Sequence, residues 1–221
     1  MPSDTSRYAC KPSRDADTIV VLGIGNVLWA DEGFGVRCVE ALQRRFDFAP
    51  HVSLIDGGTQ GLILIEHVQA ARRLLIFDAV DYGLAPGTLK LVENDEVPRF
   101  LGAKKMSLHQ TGFQEVLLLA QFTGRFPDEV LLVGCQPEEL EDYGGSLRIS
   151  VKAALEDALQ LAVERLAQWG AEPRPREQAL AAADAVTAPV LSLDVYESER
   201  PSAEAACRLG DARFMPAAER S

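Results

Sequence analysis

The sequence predicts an α/β protein in which a mostly parallel, twisted five-stranded sheet lies between helices in a three-layer arrangement. Two observations lead to this expectation. Short apolar runs with β-branched residues alternate along the chain with longer segments whose apolar residues recur at helical spacing. Strands that alternate with helices in this way pair in parallel, because each crossover helix returns the chain to the same end of the sheet.

The predicted strands and helices follow from these runs. The fourth strand alternates apolar and polar residues, which suits a strand with one exposed face, whereas the other runs read as buried strands. The strands are residues 18–23, 52–55, 73–77, 88–92 and 129–133, and the helices are residues 35–46, 61–71, 110–122 and 150–169. Active sites in such sheets gather at the carboxyl ends of the strands.

One domain accounts for most of the chain. We expect a flexible N-terminal lead over residues 1–17, a single domain over residues 18–170, and a C-terminal tail over residues 171–221. The tail is rich in Ala, Glu, Arg and Pro and shows no sustained periodicity, which is typical of disorder. The alternative is that the tail orders on a partner or wraps around the domain.

Charge and composition exclude several classes of partner. The 221 residues carry a net charge of −11, so the surface repels nucleic acid and anionic lipid headgroups. The sequence contains no apolar run of membrane-spanning length and no apolar core of a signal peptide, so we expect a soluble, cytoplasmic protein without membrane insertion. The cysteines Cys10, Cys38, Cys135 and Cys207 are far apart, and we expect Cys38 and Cys135 to be buried thiols.

The turn after the first strand begins like a nucleotide-binding loop. Gly23 and Gly25 begin the G-x-G-x-x-G pattern, but Leu28 occupies its third position, and no GKS or GKT follows. The chain likewise has no G-x-S-x-G and no H-E-x-x-H motif. Asp31 and Glu32 stand in this turn instead. Their simplest use is structural, with Asp31 capping the next helix and Glu32 complementing its dipole.

Other strand ends also carry polar residues that suit a metal ion. Asp78 follows the apolar run LLIF, Asp56 follows the second strand, and His109 precedes a helix. A carboxylate after a buried strand is costly unless it is paired, hydrogen-bonded or bound to metal. One imidazole with two carboxylates suits a divalent transition metal, and nickel, copper and zinc all remain open on this basis.

Five motifs in collinear order resemble the maturation endopeptidases of [NiFe] hydrogenases, and in particular those of membrane-bound uptake enzymes. The motifs are GIGNVLWADEGFGV, LIDGGTQG, IFDAVDYGLAPGTL, KKMSLHQTGF and LVGCQPEELEDYGGSLR, and the resemblance covers residues 18–170. The lead and the tail lie outside it, so neither inherits a role from the motifs. The resemblance implies a phosphorylase/hydrolase-like sheet, in agreement with the alternation of strands and helices.

The resemblance also implies a function and a site. Members of this family remove a short C-terminal extension from the hydrogenase large-subunit precursor after nickel insertion. A Glu, an Asp and a His sense the nickel, and they match Glu32, Asp78 and His109. The resemblance makes these three the catalytic and metal-binding residues, with nickel carried by the substrate and no organic cofactor. Two routes stay open: a metal-assisted or aspartic-type hydrolysis with proton transfer by Asp31 or Asp56, or a metal that only positions the substrate.

Two other functions remain open. A nickel-binding assembly chaperone without peptidase activity would need the same three ligands and no scissile bond. A hydrolase such as a peptidyl-tRNA hydrolase would use Asn26 and His109 without a metal, but its polyanionic substrate fits poorly with a net charge of −11.

Overall fold

The sheet holds five strands in the order β3-β1-β4-β6-β5. The structure is a computed structural model, and it describes residues 17–101, 108–181 and 184–200. The strands of the sheet are β1 (Ile19–Ile24), β3 (Val52–Gly58), β4 (Arg73–Ala79), β5 (Leu89–Glu93) and β6 (Glu129–Cys135). The first four in spatial order run parallel, and β5 pairs with β6 in the antiparallel direction. The predicted fold class is confirmed.

Six helices accompany the sheet within the described residues. They are α1 (Phe34–Arg45), α2 (Ile65–Ala70), α3 (Glu96–Leu101), α4 (Leu108–Phe122), α5 (Ile149–Gln168) and α6 (Leu193–Ser198). The four predicted helices agree with α1, α2, α4 and α5 to within a few residues. The predicted helix over residues 61–71 is divided, because a 3-10 turn at Gly61–Leu64 precedes α2.

Two apolar cores lie on opposite faces of the sheet. On the first face, Val21 and Phe77 pack with buried residues of α1 and α5. On the second face, Leu22 and Ile76 pack with residues of α2, α3 and α4. We call these the α1 face and the α4 face. Alternate residues of β1 and β4 enter opposite cores because successive side chains of a strand point to opposite sides.

Several short elements lie outside the sequence prediction. Helices α3 and α6 have six residues each, and a two-stranded ribbon joins β2 (Phe46–Asp47) to β7 (Arg174–Pro175). Strands of two residues are too short to display a period, and α3 and α6 are not part of a longer periodic segment, whereas the helical spacing of α2 extends back through the 3-10 turn before it. Tertiary contacts therefore decide these elements.

The segment after Gly170 lies along the domain. We call its described residues, 171–181 and 184–200, the strap. It begins at buried Ala171, whose carbonyl accepts a hydrogen bond from Ala49, and continues through β7. Gln43 of α1 then donates to the Asp184 carbonyl and accepts from the Val186 backbone. In the described residues the segment therefore takes the arrangement that wraps the domain, and residues 201–221 lie outside the description.

A buried ion pair on α1 holds the strap in place. Arg37 and Glu40 are 3% and 6% exposed and lie 2.9 Å apart. The Arg37 guanidinium also donates to the Leu191 carbonyl and lies 5.5 Å from the centre of the Tyr196 ring. Glu40 accepts a hydrogen bond of 3.1 Å from the Leu193 backbone. Both charges on α1 therefore depend on the strap for part of their hydrogen bonding.

Two remaining expectations concern cysteines and membranes. Cys38 and Cys135 are buried free thiols, as predicted, and burial raises the pKa of Cys135 to about 12. Cys10 and Cys207 lie outside the described residues. In the described ranges, no helix is both long and apolar enough to cross a membrane.

Candidate functional site

The start of α1 packs closely on the carboxyl ends of the paired strands β1 and β4. A Cβ atom on Gly35 would lie 2.2 Å from the Phe77 carbonyl oxygen and 2.3 Å from that of Ile24. Only glycine permits this approach, because any side chain would overlap the backbone of both strands. The 3-10 turn Ala30–Gly33 also packs against β4. The turn that carries Glu32 is thereby held near the strand that ends with Asp78.

Glu32 is half-buried in this turn. Desolvation by burial raises the pKa of its carboxyl group from 4.5 to about 7. Its backbone N–H donates to the Trp29 carbonyl at 2.9 Å. A Cβ atom on Gly25 would lie 1.8 Å from the Glu32 carbonyl oxygen, so the chain folds tightly back on the end of β1. Glu32 is therefore an acid held at the sheet edge that changes charge near neutral pH.

Asp78 lies at the carboxyl end of β4 and is 1% exposed. It follows Leu74 and Ile76 on alternate positions, so its side chain belongs to the α4 face. Its partner across the sheet is Gly134 of β6. The Tyr82 hydroxyl lies over Gly134, 1.7 Å from where a Cβ atom would be. Burial, followed by the negative charge of Asp78, raises the Tyr82 pKa.

His109 lies in the first turn of α4, and its side chain is outside the described residues. Helix α4 covers the α4 face, where its residues Phe113 and Val116 share a core with Ile76. Gly112, three residues after His109, approaches the turn that follows β3, because its Cβ atom would lie 3.5 Å from the Gly61 Cα. The backbone of His109 therefore belongs to the same side of the sheet as Asp78.

Asp31 has a structural use that differs from the predicted helix cap. Its side chain is fully buried and accepts backbone hydrogen bonds from Glu138, Glu139 and Arg148 at 2.8, 2.9 and 2.7 Å. No side-chain hydrogen bond caps the 3-10 turn or α1. The prediction of a cap is thus wrong, because all three donors come from the segment after β6. These contacts favour a role in holding that segment over the predicted proton transfer.

Asp56 lies at the end of β3, on the opposite face from Asp78. Its carboxylate accepts a 3.5 Å hydrogen bond from Thr187 of the strap, and Arg37 and Glu40 act on its charge. Desolvation raises its pKa, although its hydrogen bonds with the Gly58 backbone and Thr187 oppose the rise. Asp56 pairs in register with Gly23 of β1 and belongs to the α1 face. The structure therefore separates Asp56 from Asp78 instead of gathering all the predicted acids.

Gln136 and Tyr82 lie near Asp78 and were not predicted as site residues. Gln136, 6% exposed, accepts the backbone N–H groups of Tyr82 and Leu84 at 2.6 and 3.1 Å. Its amide nitrogen donates to Asp81 at 3.0 Å. Gln136 thus fixes the loop that follows β4 and places Tyr82 beside Asp78. Gln136 lies inside the motif LVGCQPEELEDYGGSLR and Tyr82 inside IFDAVDYGLAPGTL, but the resemblance assigns neither residue a role, and only the folded chain reveals this use.

A metal site within the described side chains is not complete. No group of three His, Cys, Asp or Glu residues is arranged to hold a metal ion among the side chains that the structure describes, which do not include that of His109. Glu32 and Asp78 come from neighbouring elements at one edge of the sheet. The two elements that carry these carboxylates are therefore in contact at the carboxyl edge of the sheet.

Comparison with known proteins places this chain in a class. The profile of the hydrogenase maturation protease family matches residues 36–165. The hydrogenase expression/formation protein HoxM of Cupriavidus necator is 70% identical over 198 residues, which cover 90% of this chain and 98% of that protein. The hydrogenase 2 maturation protease of Escherichia coli is 43% identical over 160 residues, covering 72% of this chain and 96% of that protein.

A solved structure agrees with the sequence comparisons. The hydrogenase maturating endopeptidase HybD from Escherichia coli matches with a TM-score of 0.68 and 41% identity, covering 72% of this chain and 98% of its own. The fold and these comparisons thus define an α/β protease of this class. The chain belongs to the hydrogenase maturation protease family. The predicted resemblance is confirmed, while the assignment of Glu32, Asp78 and His109 to nickel stays a prediction.

Proposed function

We propose that this protein is the endopeptidase that removes the C-terminal extension of a [NiFe] hydrogenase large-subunit precursor after nickel insertion. Glu32, Asp78 and His109 bind the nickel, which belongs to the substrate. The observation that carries the proposal is the placement of Glu32 on a turn that packs against β4, whose end holds buried Asp78. Membership of the protease family supplies the reaction class.

The protonation of Glu32 fits the recognition of a metal that arrives with the substrate. With a pKa of about 7, Glu32 holds a proton for part of the time in the free enzyme. A nickel ion already bound by substrate thiolates favours the charged carboxylate and displaces that proton. Oxygen and imidazole ligands are harder than thiolates and add a weaker grip. A precursor without nickel offers no metal charge to offset the loss of that proton. The protease thereby distinguishes it from the nickel-loaded precursor.

Asp31 and Asp56, the two acids considered for proton transfer, are poorly suited to that role at this edge. Asp31 is occupied by three backbone donors, and Asp56 belongs to the α1 face. Neither belongs to the α4 face, so we assign the attack on the peptide carbonyl to water that the substrate nickel polarises, and the proton lost by this water passes to the amine of the leaving extension as the C–N bond breaks.

The decisive experiment uses purified protein and purified precursor with and without nickel. Mass spectrometry of the products should show loss of one C-terminal fragment, and only from the nickel-loaded precursor. Glu32→Gln should abolish this loss, while His67→Ala, an exposed histidine on α2, should leave it intact. Tight binding of nickel-loaded precursor without any mass loss would instead identify an assembly chaperone.

A further inference from the structure

We propose that the aromatic pair Trp29 and Tyr143 is a contact surface for the precursor chain beside Glu32. It fits an apolar side chain flanked by basic residues. This inference rests on the proposed function, since it names a second place where the same substrate is held. The aromatic pair would contact the polypeptide and not the nickel. A precursor without nickel should therefore bind to the pair as well.

The two rings form one rigid unit that is open to solvent. Their centroids lie 5.3 Å apart in an edge-to-face arrangement, and the two residues form an antiparallel backbone bridge. The Gly144 N–H donates to the Leu28 carbonyl at 2.7 Å and fastens the same contact. Tyr143 nevertheless remains 61% exposed. A large ring that is exposed yet immobilised loses little entropy when a partner covers it.

Trp29 of the pair belongs to the turn that carries Glu32. Trp29 accepts the backbone hydrogen bond of Glu32, so the ring that supports Tyr143 and the predicted nickel ligand belong to one turn. Between them, Ala30 adopts a φ of 38°, a left-handed conformation that residues with a side chain rarely adopt. Trp29 and Glu32 therefore belong to one strained turn.

Asp31 holds the segment that carries Tyr143. Its fully buried carboxylate accepts N–H groups from both ends of the segment, at Glu138, Glu139 and Arg148. The burial of a carboxylate is costly even when it is hydrogen-bonded, and packing of the core alone does not require it here. The bonds close the segment into a loop. We therefore assign Asp31 as a positioning residue for the aromatic pair.

The strap holds the same loop from outside. Glu197 accepts hydrogen bonds from Ser146 and Lys152 at 2.7 and 2.6 Å. Arg200 lies 3.8 Å from Asp142, which also pairs with Arg148 at 3.1 Å. The loop is thus clamped on two sides while its tip stays exposed. This combination suits a binding surface better than a structural loop, which needs no rigid aromatic tip.

The charge around Tyr143 identifies the kind of partner. Glu138 and Glu141 are exposed on the same loop, and the protein as a whole carries a net charge of −11. Exposed acids around an aromatic anchor attract a segment with basic residues and an apolar side chain. We commit to the precursor chain next to its nickel site as this segment, because Glu32 must reach that nickel at the same time.

The test measures affinity for nickel-free precursor and, separately, the cleavage of nickel-loaded precursor. Tyr143→Ala should weaken binding of the nickel-free precursor about tenfold and raise KM by a similar factor, with kcat unchanged. Tyr143→Phe should retain most of the affinity. Asp31→Asn should also weaken binding and should speed amide exchange at Glu138, Glu139 and Arg148. That exchange reports the loop without reference to activity.

Phe122→Ala is the matched control, since Phe122 is a 90% exposed aromatic residue at the last position of α4. It should leave affinity, KM and kcat unchanged. A Tyr143→Ala protein with parental affinity for nickel-free precursor would overturn the inference. If the parent binds the precursor but never cleaves it, the proposed function fails, and the affinity series still decides whether the pair contacts the precursor.

Discussion

The acids on the two faces of the sheet have different surroundings. On the α1 face, Asp56 is covered by the strap, accepts a hydrogen bond from Thr187, and lies near the Arg37 and Glu40 pair. On the α4 face, Asp78 ends β4 beneath Tyr82 and shares its side of the sheet with the start of α4, which carries His109. Asp56 lies near the carboxyl end of β3 and Asp78 near that of β4, and both strands pair with β1.

The difference shows that the position of an acid at a strand end does not by itself define its role. The chain supplies its own strap to the α1 face, and the acid there becomes part of an internal network. The α4 face receives no strap residue in the contacts described, and the family resemblance assigns its acid to the substrate's nickel. A comparison of variants on the two faces therefore separates structural from catalytic carboxylates.

The largest expected effect is on the α4 face and on the adjoining turn. Asp78→Asn and Glu32→Gln keep the size of each side chain and remove its negative charge. Cleavage of nickel-loaded precursor should fall by about 100-fold or more, because each variant loses an anionic ligand, while the melting temperature of Glu32→Gln should stay near that of the parent. A Glu32→Gln protein that cleaves at the parental rate would restore the purely structural role of this turn.

The next effect belongs to the α1 face and concerns stability. Arg37→Met removes the closer cation of buried Glu40, which keeps only the half-exposed Arg44 at 3.8 Å, and should lower the free energy of unfolding by about 3 kcal/mol, as measured by urea titration. Arg44→Met is the matched control, because Arg44 is 51% exposed and its pairs with Asp194 and Glu40, at 2.7 and 3.8 Å, should together contribute at most about 1 kcal/mol.

Arg37→Met also tests whether the strap is packed on α1. Amide exchange at residues 190–195 should be slow in the parent, since the strap is packed on α1, and fast in Arg37→Met. Rapid exchange of these residues in the parent, or tryptic trimming near Gly170 at the rate of an unfolded chain, would show that the strap is disordered in solution, as the composition predicts.

A smaller effect is the pH dependence contributed by Glu32. Its pKa is about 7 in the folded protein and 4.5 ordinarily, so between these values the folded state binds more proton than the unfolded state. Stability from this group is therefore lost as pH rises from about 4.5 to 7. Glu32→Gln should remove a loss on the order of 1 kcal/mol, after allowance for partial solvent screening. Parallel stability curves of parent and variant over this range would contradict the raised pKa.

The smallest effect separates Asp56 from the reaction. Thr187→Val removes the hydroxyl that donates to Asp56 at 3.5 Å, a long bond, and should cost about 0.5–1 kcal/mol of stability. The Asp56 pKa should rise further, since that bond opposes the effect of burial, and carboxyl NMR shifts would measure it. Cleavage should change less than about twofold. A marked loss of cleavage would return Asp56 to the catalytic site.

The amino-acid sequence by itself determined the layered α/β fold, the five strands of the sheet and helices α1, α2, α4 and α5. Each of these elements lies within an apolar run or a helical spacing that the sequence displays, as the run 129–133 does for β6. The ordered motifs around Glu32, Asp78 and His109 likewise identified the family, because five collinear matches are far more specific than any single one.

Only the tertiary structure decided the roles of individual acids. Asp31 and Glu32 are adjacent in sequence, yet the first is occupied by three N–H groups from a loop more than 100 residues away, while the second is half-buried with a raised pKa. Asp56 and Asp78 both follow apolar strands, but strand alternation and the strap place them on opposite faces. The physical reason is that hydrogen bonding and desolvation depend on which distant groups fold against a side chain, and local sequence patterns carry no information about those groups.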